Sequence, residues 1–298
     1  MSFERMSPDV DLRHQISVLG AELGPRVREA TTELFSERHL EITKFPIARD
    51  IFYGPDPRHR LDIHQPKHLV GGPLPVFVYV HGGGFIGGDK SKPGLPYYDN
   101  IGQWAASNGV LGVNITYRYA PEFTYPSGAE DVARALEWID ANIHEFNADP
   151  SRVVLMGHSA GSAHVASFVA TPGLQSNLEH LPRGLILSSG VYDPTQGAAA
   201  YAVYFGDDAQ GLSRSAIPGI CKTEIPLLLS SCEFDPENIR QQTFTLVEAM
   251  MHAHNKMPDC VFNDGHNHYS VVYQFGTSDN WLGDRVLRFI ASVTRGTD

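Results

Sequence analysis

Four short stretches hold residue types that can do chemistry together. In "RVVLMGHSAGSAHVAS", residues 152–167, an apolar run enters Gly157-His158-Ser159-Ala160-Gly161 and a small-residue segment leaves it. Such a serine sits on a tight strand-to-helix turn, where flanking glycines let the backbones pass and the helix amides face a developing oxyanion. The competing reading is a plain small-residue turn, or a serine that caps the helix. In "YVHGGGFIGGDK", His81-Gly82-Gly83-Gly84 follows an apolar run, and glycine amides there can turn toward a substrate oxygen. A phosphate-binding loop is the alternative, but no Gly-Lys-Ser/Thr follows and the spacing is not Gly-x-Gly-x-x-Gly. His81 is expected to brace the loop.

The third stretch, "SSCEFDPENIRQQ", offers Asp235, with Glu233 as the competing acid. Asp followed by Pro also reads as a helix N-cap with Pro at the first helical position. The fourth, "FNDGHNHYSVVY", offers His266 and His268 as general bases, and pattern alone does not separate them. A second His-x-His pair, His252 and His254, lies in a helical stretch where residues two apart face different ways. No Cys or carboxylate cluster completes a zinc set, so no metal is expected. His144, His158 and His164 read as structural. The order glycine loop, Ser, Asp, His is the one a nucleophile elbow uses.

These residues need a frame to bring them together. The runs "PVFVYV" 75–80, "VLGVNITY" 110–117, "RVVLM" 152–156, "GLILSS" 184–189 and "IPLLLSS" 225–231 are continuously apolar, which fits strands buried on both faces of a parallel sheet. Between them, Val132, Leu136, Ile139 and Ile143 recur at helical steps, as do Phe244, Val247 and Met251. "IARDIFYG" and "HRLDIHQP" alternate and are split by "PDPR", so they predict an antiparallel hairpin at one edge. Residues 1–45 are helix-prone and are expected to pack over the sheet or cap a site. The irregular stretch 192–224 is too long for an ordinary connection and reads as a lid or binding loop.

The bulk numbers narrow the classes. The chain has 298 residues, 42% of them hydrophobic, and a formal charge of −11. Without a basic run, that charge repels nucleic acid and anionic membrane alike. No apolar run reaches membrane-spanning length, the N-terminus lacks the apolar core of a secretory signal, and three cysteines cannot close a disulfide framework. A cytoplasmic location is expected.

From about residue 60 onward the chain resembles α/β-hydrolases of the esterase/lipase and kynurenine-formamidase-like group. "HGGGFIGGD" and "YRYAPEFTYPSGAEDVARALEWI" are similar to hormone-sensitive-lipase-like esterases, except that Tyr119 stands where their Tyr-Arg-Leu-Ala-Pro-Glu has Leu. "GHSAG", with His158 where those esterases commonly have Asp, and "HNHYS" are similar to formamidase segments, which favours His268 over His266. The resemblance implies an α/β-hydrolase fold: a mostly parallel sheet flanked by helices, with a small cap from residues 1–45 and 192–224 on a catalytic domain of 46–298. It implies Ser159 as nucleophile, His268 as base, Asp235 as orienting acid, and an oxyanion hole from the amides of Gly83, Gly84 and Ala160.

The implied reaction is ester hydrolysis through an acyl-enzyme, without a cofactor, on a small-molecule ester or amide. Phe85, Tyr201, Tyr204 and Phe205 are expected to line an apolar pocket, or else simply to pack. Arylformamidase chemistry is the runner-up, and a non-catalytic ligand receptor of the same fold is the rival from another class. A homodimer is left open. An imidazole base acts only when neutral, which predicts activity falling below about pH 6.5, the ordinary histidine value.

Overall fold

A computed structural model describes residues 10–39, 45–67, 72–207 and 213–295. Parts of two sequence expectations, residues 1–9 and 40–44 of the N-terminal segment and 208–212 of the long insertion, lie outside the described residues. Eight strands form one sheet: β1 (Ile47–Phe52), β2 (Arg60–His64), β3 (Leu74–Val80), β4 (Leu111–Ile115), β5 (Ala148–His158), β6 (Gly184–Ser188), β7 (Leu227–Phe234) and β8 (Asp259–Asn267). They lie in the order β1-β2-β4-β3-β5-β6-β7-β8. β2 pairs antiparallel with both β1 and β4, and every other pairing is parallel. The hairpin therefore sits at one edge, as its alternating sequence predicts.

The central runs are continuously apolar because alternate residues enter two cores. Val76, Val78 and Val80 join Leu155, Leu185 and Leu229 on one face. There they meet Val132, Leu136 and Ile139 of α4 (Ser127–Asn142) and Val165 and Phe168 of α5 (Ala160–Ala170). Phe77 and Tyr79 join Val154, Met156, Ile186 and Leu228 on the other face. That face is covered by Ile101 and Trp104 of α3 (Asp99–Ser107) and by Leu282, Val286 and Phe289 of α10 (Trp281–Thr294). Each such side chain contributes roughly 1.5–3 kcal/mol when removed from water. Leu12 and Ile16 of α1 (Val10–Leu19) and Phe35 of α2 (Pro25–Ser36) enter this second core, so the N-terminal helices are packed against the sheet.

Among its described residues the insertion contributes two short helices, α6 (Ala198–Phe205) and α7 (Ile217–Ile220). α8 (Glu237–His254) follows β7, and α9 (Ser270–Tyr273) follows β8. On α8 the expected apolar stripe is corrected in part: Val247 packs against the first core, but Phe244 and Met251 are exposed, 63% and 46%, while Ile239, Gln242, Thr243 and Leu246 face inward. The reason is polar. Gln242 accepts the backbone N–H groups of Tyr192 and Asp193 and donates to the carbonyls of Asp193 and Gln196, which turns its own face of the helix to the protein. Among the described residues no helix is long and apolar enough to cross a membrane.

Candidate active site

Strand register sets the site. Val80 lies opposite Gly157, His158 opposite Ser188, Ser188 opposite Ser230, and Phe234 opposite Asn267. The residues just past these pairs are therefore delivered to one rim of the sheet: the glycine loop, Ser159, Ser189, Asp235 and His268. Ser159 has φ 55° and ψ −123°, a left-handed conformation that a serine adopts only under constraint. The constraint is visible in the Ser159 N–H, which donates to Ser188 O at 3.0 Å, and in α5, which begins at the next residue. A helix starting at Ala160 leaves its first amides without intrahelical acceptors and aims them at the rim.

The glycine loop leaves β3 beside this turn. A Cβ on Gly82 would lie 2.9 Å from Ser159 Cβ, so the loop and the serine are in direct contact. Gly83 and Gly84 have φ of 148° and 62° and are exposed, with Gly83 turned so that a Cβ would strike Gly87 O at 1.8 Å. His81 braces the loop as expected, with Nδ1 2.6 Å from Gly82 O and its ring stacked on Tyr117.

On the other side, His268 Nδ1 lies 2.8 Å from Asp235 Oδ1. The second oxygen of Asp235 accepts from Ser189 Oγ at 2.7 Å, the Cys232 N–H at 2.8 Å and Ser231 Oγ at 3.3 Å. Burial alone would raise the Asp235 pKa, but the bond from His268 and those from Ser189 and Cys232 hold it below the ordinary carboxylate value. Asp235 therefore does not cap α8. Pro236 occupies the cap position, and the helix begins at Glu237. Glu233 is turned away, accepting from the Arg13 guanidinium at 3.1 Å and the Gly265 N–H at 2.8 Å.

The two histidines that pattern could not separate have different partners. His266 is buried against Ser270 Oγ at 3.1 Å and lies 3.4 Å from Asp279, and burial pulls its pKa down to about 4. His268 meets Asp235, and its ring centroid lies 4.7 Å from that of His158, the residue before Ser159. This is how the imidazole reaches the serine turn. His158 itself is buried, and burial followed by the nearby His268 lowers its pKa to about 3, so it stays neutral. His164 is likewise buried and held to about 3, while His144, His252 and His254 are exposed. No group of three or more potential metal ligands occurs among the described residues.

Phe85, Tyr201, Tyr204 and Phe205 come together, but chiefly with one another. They share a cluster with Ala160, Ala163 and Val191, and Phe85 stacks on Tyr204 with ring centroids 4.8 Å apart. What they present to the serine turn is a packed aromatic wall. Sequence reasoning missed Ser189, which holds Asp235, and Arg13, which ties Glu233 to Asp264 beside the site. Ser189 leaves a faint signal, a small polar residue closing the apolar run "GLILSS", whereas Arg13 leaves none.

A family model described as BD-FAE matches residues 61–189. The chain is 36% identical over 121 residues to a probable isoprenylcysteine alpha-carbonyl methylesterase of Arabidopsis thaliana, covering 41% of this chain and 24% of that one. It is 31% identical over 218 residues to liver carboxylesterase of Sus scrofa, covering 70% and 34%. It thus spans about a quarter to a third of the length of these relatives. The crystal structure of esterase B from Lactobacillus rhamnosis superposes with a TM-score of 0.74 at 16% identity, over 96% of this chain and 97% of that one. The sheet order and this superposition show the α/β-hydrolase fold, and the relatives to which the sequence is similar are esterases.

Proposed function

We propose that this chain hydrolyses carboxylic esters of small to medium size through an acyl-enzyme on Ser159. His268 takes the Ser159 proton as the hydroxyl attacks the carbonyl carbon, then returns it to the leaving alcohol; water repeats the cycle to release the acid. Asp235 fixes the His268 tautomer with Nδ1–H toward the carboxylate and stabilises the imidazolium. The amides of Gly83, Gly84 and Ala160 receive the oxyanion, each donor contributing roughly 3–4 kcal/mol to the transition state. Phe85, Tyr201, Tyr204 and Phe205 form the apolar side of the acyl or alcohol site, and the helices before β1 with the 192–224 insertion form its cap. The observation that carries this reading is the 2.8 Å bond between His268 and Asp235, at the same rim as the strained Ser159. The similarity to liver carboxylesterase and to a methylesterase supports esters over amides.

The test is a p-nitrophenyl ester series run beside N-formylkynurenine on the purified protein. Turnover of short and medium esters, lost in Ser159→Ala, is the expected outcome. Turnover of the formamide alone would replace ester by amide chemistry, and no turnover with an unlabelled Ser159 would favour a ligand receptor.

A further inference from the structure

The loop from His81 to Lys90 folds back on itself: a Cβ on Gly88 would lie 2.2 Å from Gly82 O and 2.6 Å from the His81 ring. With Gly83 equally tight against Gly87, the outgoing segment can move only if the returning segment moves too. The returning segment is held by the turn of the β1–β2 hairpin, far away in sequence. Arg58 Nη1 donates to Asp89 Oδ2 at 2.9 Å, Nη2 to Gly88 O at 3.3 Å, and Nε to Tyr117 O at 3.2 Å. Its guanidinium lies 4.2 Å over the Tyr119 ring and bonds the Tyr119 hydroxyl, which in turn donates to Gly88 O. Tyr119 is the residue at which this chain departs from the Tyr-Arg-Leu-Ala-Pro-Glu segment, and the departure supplies the hydroxyl that reaches Gly88.

We propose that Arg58 and Tyr119 are positioning residues that hold the amides of Gly83 and Gly84 on the oxyanion through Gly88 and Asp89, an inference that rests on the hydrolase reading above. As an ion pair the Arg58–Asp89 contact contributes little, because the two side chains are 28% and 46% exposed. Its value is geometric: a planar fork with fixed partners sets where the loop lies, which a flexible ammonium cannot reproduce. Lys90, bonded to Asp50 at 2.8 Å and close to the buried Asp62 at 3.1 Å, fixes the residue that follows.

The experiment compares Arg58→Lys and Tyr119→Phe with the unaltered protein on one ester, with melting temperatures measured in parallel. Both variants keep the charge or the ring. A drop in kcat of about 10- to 100-fold for Arg58→Lys, and a smaller one for Tyr119→Phe, is expected while KM changes little. A trifluoromethyl ketone, whose tetrahedral adduct places an oxyanion in the hole, should lose affinity in proportion to kcat/KM. A merely structural tether would lower the melting temperature and leave kcat and ketone affinity unchanged, and that result overturns the positioning role alone. If Arg58→Lys does not fold, Tyr119→Phe decides the question by the same two readings. Unaltered protein that neither turns over esters nor binds the ketone overturns the hydrolase reading, and this inference with it.

Discussion

The two arms of the site are held by different forces. On the Ser159 arm, backbone lies on backbone: a Cβ at Gly161 would sit 2.2 Å from Val80 O and 2.5 Å from His81 O, and Gly83 is as tightly placed against Gly87. On the Asp235–His268 arm, side-chain hydrogen bonds do the holding. Asp235 is held by Ser189 and the Cys232 amide, Asn267 Oδ1 accepts the N–H groups of Tyr269 and Ser270, and Asn267 Nδ2 donates to Thr31 of α2 at 3.0 Å. Arg13 of α1 joins Glu233 and Asp264 across the ends of β7 and β8. The first arm has no room for an added atom at Gly83 or Gly161, whereas the second depends on its buried partners being kept.

That contrast can be broken from either side. Asp235→Asn adds no bulk and should leave the fold standing, yet lower kcat by about 10⁴-fold, because the amide stabilises the wrong tautomer of His268; steady-state kinetics beside a thermal melt checks both halves. Gly161→Ala should do the reverse. One methyl against two carbonyls costs roughly 1–3 kcal/mol or more in stability, read by chemical denaturation.

Both arms should respond to acid. His81, His158 and His164 on the Ser159 arm are buried, with burial lowering His81 to about 4 and the other two to about 3. His266 on the Asp235–His268 arm and His64 under the hairpin are lowered to about 4 by the same cause. In the unfolded chain these imidazoles take protons near 6.5, and in the folded chain only near 3–4. The unfolded state thus binds more protons between those values, so stability is complete above about pH 6.5 and is lost as pH falls below it. Melting temperatures should stay level from pH 7.5 to about 6.5 and decline from there to pH 5, with little change on added salt, since burial rather than surface charge is the cause. The smallest effect belongs to Arg13→Ala. Its ion pairs are 29–51% exposed, so the change in stability should stay within about 1 kcal/mol.

The same contrast explains what was legible in the sequence. The Ser159 arm is local and made of glycines, so Gly157-His158-Ser159-Ala160-Gly161 and His81-Gly82-Gly83-Gly84 stand out in a few residues. The five apolar runs and the edge hairpin were equally plain, because strands covered on both faces need continuous apolar sequence. The Asp235–His268 arm is legible only as candidates: Asp235 and His268 are 33 residues apart, and their supports Ser189 and Asn267 are ordinary polar residues until the strands align. β8 gave no strand signal since it is an edge strand whose outward residues, such as Cys260 and Phe262, stay exposed. On α8 the apolar spacing pointed to Phe244 and Met251, but the hydrogen bonds of Gln242 set the inward face instead.

The central claim is that His268, not His266, serves Ser159, and labelling with a fluorophosphonate reads this directly. Mass spectrometry should find the probe on Ser159 in the unaltered protein and in folded His266→Ala, and should find almost none in folded His268→Ala. Labelling of His268→Ala at the unaltered rate, or a modified residue other than Ser159, would contradict it.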